Sequence, residues 1–92
     1  MSGLVLSRRI GEGVYLLTLG QPAMYVSVTK IQDAGVRASE SASVGLRFEG
    51  SRGSVIMRDE IVVEALTESE LAHLTEVPIS QELLARFRRG AR

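Results

Sequence analysis

Cysteine and tryptophan are absent from the sequence, and histidine occurs once. Without cysteine, the chain can form neither disulfides nor thiolate metal sites. The single histidine, His73, excludes histidine-rich zinc sites and any Ser-His-Asp arrangement that does not depend on this one residue. Asp59 and Glu60 are adjacent carboxylates, but neighbours on a helix point about 100° apart and do not form a catalytic pair. We therefore expect a protein that is not an enzyme and holds no metal or cofactor.

Long apolar runs are also absent. A membrane-spanning helix needs about 20 apolar residues, and Arg8 and Arg9 interrupt the segment where a signal peptide would need its hydrophobic region. We therefore expect a cytoplasmic protein. A chain of 92 residues buries only about 60–65% of the surface of its unfolded state. With no disulfide or metal to compensate, we expect a homodimer that completes the core.

The net charge is zero, but the charges are segregated along the chain. Residues 1–58 carry seven basic and four acidic side chains, and residues 59–82 carry seven acids and no lysine or arginine. The last ten residues carry four arginines. This distribution indicates a basic body, an acidic segment and a basic tip.

The pattern of apolar residues predicts strands first and helices last. Five segments have the alternation or β-branched content of strands, and they are residues 4–9, 14–19, 24–31, 44–49 and 54–58. After Arg58 the period changes to that of a helix, and Thr67 with Glu70 forms a capping-box pattern before a second helix. Pro78 ends this helix, and a last amphipathic segment runs to Gly90.

Arginines on the predicted strands are the best candidates for function. Arg8 shares a strand face with Leu6, while Arg9 points to the other face, and Arg58 ends the fifth strand. A guanidinium at a strand end suits phosphate groups and guanine edges. The alternative is that each arginine is a solvated charge that protects a sheet edge from aggregation. The four aromatic residues are predicted in the core, so no exposed ring is expected for base stacking; they are Tyr15, Tyr25, Phe48 and Phe87.

Two motifs resemble those of the carbon storage regulators, the CsrA/RsmA family of bacterial post-transcriptional regulators. Residues 4–12 read LVLSRRIGE and match the family pattern L-x-L-[ST]-R-[RK]-x-G-E at every defined position. Residues 44–61 read VGLRFEGSRGSVIMRDEI and resemble the fourth and fifth strands of the family with the R-[ED]-E-[IV] entry to its helix. The resemblance covers roughly residues 3–65.

The resemblance implies a mainly β fold of five strands with a C-terminal helix, assembled as an intertwined homodimer. The first strand of one chain would pair with the fifth strand of the other, and each pair of edges would bind a GGA element of RNA. Such a protein controls translation or mRNA stability. The positions that match the RNA-binding regions of the family are Leu6, Ser7, Arg8, Arg9, Gly50, Ser51, Arg52, Ile56, Met57, Arg58 and Glu60.

The chain departs from the family at Ser54, which replaces an apolar residue, and in three further places. Gly50 and Ser51 replace an Ala-Pro pair, so the loop loses the fixed φ of proline. Gly45 and Arg47 exchange an arginine and a glycine of the family's fourth strand. An insertion of about residues 32–43 allows a second alignment, in which residues 36–40 rather than 44–48 form the fourth strand.

These features predict two domains and leave two classes of function open. Residues 1–65 form the predicted RNA-binding and dimerisation domain. Residues 66–92 form a helical extension that is a candidate surface for a protein partner. The first function is regulation by binding GGA-containing mRNA or small RNA. The alternative is a degenerate dimer that acts as a protein-interaction module or modulates another regulator.

Overall fold

The computed structural model of the chain describes residues 4–31, 42–49 and 53–90, and only the backbone of residues 88–90. The described residues form five strands followed by three helices, as the sequence predicts. The strands are β1 (Leu4–Arg9), β2 (Gly13–Thr18), β3 (Met24–Ser27), β4 (Ser43–Phe48) and β5 (Ser54–Arg58). The helices are α1 (Asp59–Ala65), α2 (Glu68–His73) and α3 (Gln81–Gly90).

The strands form two antiparallel sheets. One sheet has the order β3-β2-β5, and the other contains β1 and β4. The central strand β2 is buried or half-buried along its whole length, because it has a partner on each side. Among the described residues, β1 pairs only with β4 and β5 pairs only with β2, so each keeps one unpaired edge.

The main core lies between the three-stranded sheet and the helices. The register places Tyr15 opposite Met57 and Leu17 opposite Val55, so these four side chains share one sheet face. They pack with apolar residues from the helices and their connections. Those residues are Val62, Leu66, Leu74, Ile79, Leu84 and Phe87. The predicted extension 66–92 therefore supplies more than half of the buried core on the helical side.

The sheet of β1 and β4 has one sheltered and one open face. Leu6 and Arg8 of β1 are buried, while Val5, Ser7 and Arg9 are exposed. On β4, half-buried residues alternate with exposed ones. The exposed face contains Gly45, beside which no atom lies within 4 Å of the position that a Cβ would take. This sheet therefore presents an open, polar surface.

The connections fasten the helices to the sheet. The turn after β2 contains Gly20 at φ +80°, a conformation that favours glycine. The N–H of Gly20 donates to the carbonyl of Ile79 at 2.9 Å, and the N–H of Ile79 donates to that of Gln21 at 2.9 Å. Thr67 and Glu70 form the predicted capping box at the start of α2. The segment around Pro78 is thus fixed on the sheet by backbone hydrogen bonds.

Two predicted details are wrong. The third strand was predicted over residues 24–31 but ends at Ser27, because β2 begins at Gly13 and offers no ladder beyond it. Val28 instead donates to the carbonyl of Glu12 at 2.9 Å and accepts from Gly11 at 2.8 Å, within the turn. Tyr25 was predicted in the core, yet 42% of its surface is exposed, since β3 is an edge strand.

Candidate functional site

The turn between β1 and β2 places the end of β1 beside the start of α1. Gly11 has φ +87°, which reverses the chain within three residues. Glu12 donates its backbone N–H to the carbonyl of Arg9 at 2.9 Å, and its Oε1 accepts from the N–H of Arg9 at 2.7 Å. This closed turn fixes the direction in which Arg8 and Arg9 leave the strand.

Arg8 is the centre of a group of ions that we call the Arg8 cluster, made of Arg8, Asp59 and Glu60. Arg8 is only 6% exposed. Its guanidinium donates two hydrogen bonds to Glu60, from Nη1 to Oε1 at 2.8 Å and from Nη2 to Oε2 at 3.3 Å. Nη1 also donates to Oδ1 of Asp59 at 3.3 Å and to the carbonyl of Gly13 at 3.4 Å. The cluster therefore joins β1 to β2 and to the first turn of α1.

The second oxygen of Asp59 extends this network to β3. Oδ2 accepts from the N–H of Gly13 at 2.9 Å and from the hydroxyl of Tyr25 at 3.2 Å. A Cβ on Gly13 would lie 2.5 Å from the carbonyl oxygen of Val26 and 2.6 Å from the Tyr25 hydroxyl. Only glycine lets these strands and the tyrosine approach so closely. Asp59 thus connects the starts of β2 and α1 to the edge strand.

The charges of the cluster stabilise one another. The hydrogen bonds from the Arg8 guanidinium are the main cause that lowers the pKa of Glu60 to about 2. The hydrogen bond to Glu60 raises the pKa of Arg8 against the opposing effect of burial. Burial, followed by the hydrogen bond to Asp59, raises the pKa of the Tyr25 phenol. All three groups therefore keep their neutral-pH protonation states well beyond the physiological range.

Two arginines remain exposed on either side of the cluster in sequence. Arg9 follows Arg8 and points to the open face of the β1·β4 sheet. Arg58 precedes Asp59, and its exposed side chain forms no ion pair or hydrogen bond with the described part of the chain. The cluster holds the end of β1 against the start of α1, and Arg9 and Arg58 are the residues that adjoin its members in the sequence. These two guanidinium groups are available to an anionic ligand.

The predicted site residues fall into three groups. Ser7, Arg9 and Arg58 are exposed. Leu6 and Met57 are buried, Ile56 is half-buried, and Arg8 and Glu60 are paired with each other. Gly50, Ser51 and Arg52 lie outside the described residues. The fourth strand lies at Ser43–Phe48, and residues 36–40 of the second alignment also lie outside them.

The network contains two residues that the sequence analysis did not assign to the site. Asp59 was considered only as one of two adjacent helix carboxylates that do not form a catalytic pair, and Tyr25 as a core residue. The position of Asp59 between the candidate site residues Arg58 and Glu60 could have indicated that Asp59 belongs to the site. Nothing in the local pattern around Tyr25 indicates a contact across 34 positions of the chain to Asp59.

The described residues contain no grouping of three or more histidine, cysteine, aspartate or glutamate side chains suited to a metal ion. His73 lies on α2, and its Nδ1 is 2.8 Å from the carbonyl of Ser69 in the same helix. Within the described part of the chain, no helix has the length and apolar character needed to cross a membrane.

Comparison of the chain with protein-family models, with curated proteins and with solved structures finds no match.

Proposed function

We propose that the chain is a cytoplasmic RNA-binding regulator whose homodimer binds GGA elements in mRNA or small RNA and so controls translation or mRNA stability. The two sequence motifs that resemble the carbon storage regulators support this proposal. The observation that carries it is that Arg9 and Arg58 are both exposed at strand ends, each next in sequence to a member of the Arg8 cluster. Guanidinium groups at such a position can bind phosphates and the O6 and N7 atoms of guanine.

The unpaired strand edges support the proposed dimer. A contact between β1 of one chain and β5 of another requires a free edge on each strand, and each has one among the described residues. Apolar side chains also remain uncovered on the sheet face opposite the helices. Met24 is 62% exposed there, and Val26 lies beside it on the same face. A second copy would bury this surface, which a small protein seldom leaves in water.

Binding to a GGA hairpin is the direct test. The probe is a fluorescent RNA hairpin with GGA in its loop, and the control is the same hairpin with the two guanines replaced by adenines. Both are titrated with the protein at about 0.15 M salt, because affinity without a stated salt concentration has no meaning. We expect clear preference for the GGA loop; equal binding of the two hairpins would contradict sequence-specific recognition.

Arg58→Ala identifies the binding surface. An arginine that contacts guanine contributes about 1–3 kcal/mol, which corresponds to a loss of about 5- to 150-fold in affinity. The control is Arg86→Ala on α3, which removes an equal charge from the helical side and should leave the affinity unchanged. Equal losses in the two variants would show diffuse electrostatic attraction instead of a defined site.

A protein-interaction module is the second candidate function. Two observations favour it. Among Arg8, Arg9 and Arg58, the first is neutralised by the carboxylates of the Arg8 cluster. The apolar side chains of β3 are also exposed. This function predicts a dimer by light scattering, close to twice 10.0 kDa, that binds neither hairpin. Detection of GGA-specific binding would remove it in favour of RNA recognition.

A further inference from the structure

We propose that Arg8 is a positioning residue: it fastens the β1·β4 sheet to the start of α1 and thereby orients Arg9 and Ser7, without itself touching RNA. The motif resemblance alone would make Arg8 an RNA contact like its neighbour Arg9. The geometry separates the two arginines, because they point to opposite faces of β1 and only Arg9 is exposed.

Each nitrogen of the Arg8 guanidinium already donates to an acceptor of the protein. Nε donates to the carbonyl of Ser7 at 3.0 Å. Nη1 and Nη2 together reach both carboxylate oxygens of Glu60, one oxygen of Asp59 and the carbonyl of Gly13. Each of the three nitrogens therefore has an acceptor, and the side chain is almost fully buried. A phosphate would have to compete with two carboxylates for a side chain that is only 6% exposed.

The contacts of Arg8 are suited to fixing one sheet against the other. Its partners lie on β2 and on the first turn of α1, across 51 and 52 positions of sequence for the carboxylates. A planar guanidinium holds a carboxylate in a fixed orientation through two parallel bonds, which a flexible ammonium cannot do. The orientation of β1, and with it that of Ser7 and Arg9, is therefore set by this side chain.

Salt dependence distinguishes a positioning role from a phosphate contact. On single-stranded nucleic acid, each neutralised phosphate contributes about 0.7 to the slope of log affinity against log salt. Arg9→Ala should therefore lower the magnitude of this slope by about 0.7 for one bound GGA hairpin. If Arg8 acts through Arg9, the double variant Arg8→Met/Arg9→Ala should lose no more of the slope than Arg9→Ala alone, about 0.7. An additive loss of about 1.4 in the double variant would show that Arg8 contacts a phosphate of its own and would overturn the proposal.

Two further variants cover the case in which Arg8→Met does not fold. Arg8→Lys keeps the positive charge but cannot reproduce the planar two-bond contact with Glu60. A positioning role predicts at least a fivefold loss of affinity in Arg8→Lys, whereas a simple charge contact predicts near-wild-type affinity. The double variant Arg8→Met/Glu60→Gln removes the repulsion between carboxylates that have lost their cation. It should recover affinity relative to Arg8→Met; no recovery in a folded double variant would contradict positioning.

The RNA measurements rest on the proposed function, but the fastening role can be tested without RNA. Hydrogen exchange of the backbone amides in the protein alone should accelerate at least tenfold across β1 and β4 in Arg8→Lys, while the amides of β2 change little. Wild-type protein that binds no GGA hairpin would contradict the proposed function, and the exchange data would still decide whether Arg8 fastens the sheet. Equal acceleration in β2 and β1 would show general destabilisation and overturn the fastening role.

Discussion

The helical side of the molecule and the β1·β4 sheet are held in place by different forces. On the helical side, α1 to α3 and their connections bury apolar side chains against one face of the three-stranded sheet. The β1·β4 sheet buries little apolar surface: Leu6 is buried, and the apolar residues of β4 are only half-buried. Its connection to the rest of the chain includes the four hydrogen bonds that Arg8 makes to Gly13, Asp59 and Glu60.

This difference determines how each region responds to its surroundings. Apolar burial does not depend on the protonation of a side chain, whereas a contact between charges weakens when a carboxylate is protonated. Ser7 and Arg9 of the candidate site lie on the region that is held by charges, whereas Arg58 ends β5 of the three-stranded sheet. The geometry of Ser7 and Arg9 should therefore depend on pH and on single polar substitutions, while the helical side should respond mainly to changes of volume in the core.

The largest effect is expected from shortening a core leucine on the helical side. Leu84 is 3% exposed in the core, so Leu84→Ala should lower the free energy of unfolding by about 2–5 kcal/mol. The matched change is Leu46→Ala on β4, where the leucine is half-buried. It should cost only about 1 kcal/mol, because less apolar surface is lost to water. Urea unfolding followed by circular dichroism measures both values.

Equal losses in the two leucine variants would mean that the β1·β4 sheet is held as firmly by apolar contacts as the helical side is. Deletion of residues 67–92 would remove most of the apolar residues on the helical side of the core. It would expose the sheet face that Leu74, Leu84 and Phe87 cover, and the resulting loss of stability would hide any effect on the candidate site.

Most of the fold could be predicted from the sequence, because its signals are local. Alternation identified five strands, and β5 was predicted at its observed bounds. The capping box of Thr67 and Glu70 follows from two side chains three residues apart. The early end of β3 at Ser27 could not be predicted this way, since it depends on where the partner strand begins and not on the residues of β3 itself.

The candidate site was less predictable, because its contacts join distant parts of the chain. The position of Arg58 at a strand end was predicted, and so was the opposite orientation of Arg8 and Arg9. The burial of Arg8 was not predicted, since an arginine in an alternating strand is usually assigned to the solvent side. Arg8 is buried because Asp59 and Glu60 lie beside β1 in the fold. This contact follows from the order of the strands in the sheets, which the local sequence pattern does not reveal.

Acid should weaken the attachment of the β1·β4 sheet before it affects the helical core. The pKa of Glu60 is about 2 in the folded chain, below its ordinary value of 4.5. The stability that this carboxylate contributes is therefore complete above pH 4.5 and is lost as the pH falls from 4.5 towards 2. Because 55% of the Glu60 side chain is exposed, solvent screening limits the contribution to about 1 kcal/mol.

Glu60→Gln should remove this part of the acid sensitivity. At pH 7 the variant should be about 1 kcal/mol less stable than the wild type, and the two should converge near pH 2. The control is Glu64→Gln on the same helix, an exposed residue with no ion pair among those described. Unfolding curves at several pH values measure the difference. A constant gap between Glu60→Gln and the wild type from pH 7 to pH 2 would contradict this assignment.

The smallest effect is expected from the ion pair on the helical side, where charges add little to a contact already made by apolar burial. Arg86 donates to Oε2 of Glu70 and to the carbonyl of Ala65, each at 2.8 Å. Arg86→Ala should cost about 0.5 kcal/mol through the lost bond at the end of α1. Glu70→Gln should cost less, because glutamine preserves the capping box, and its effect should disappear in 1 M salt, which screens exposed charges. Thermal unfolding at low and high salt measures both variants. A loss in Arg86→Ala as large as that in Leu84→Ala would show that this side, too, is held by charge.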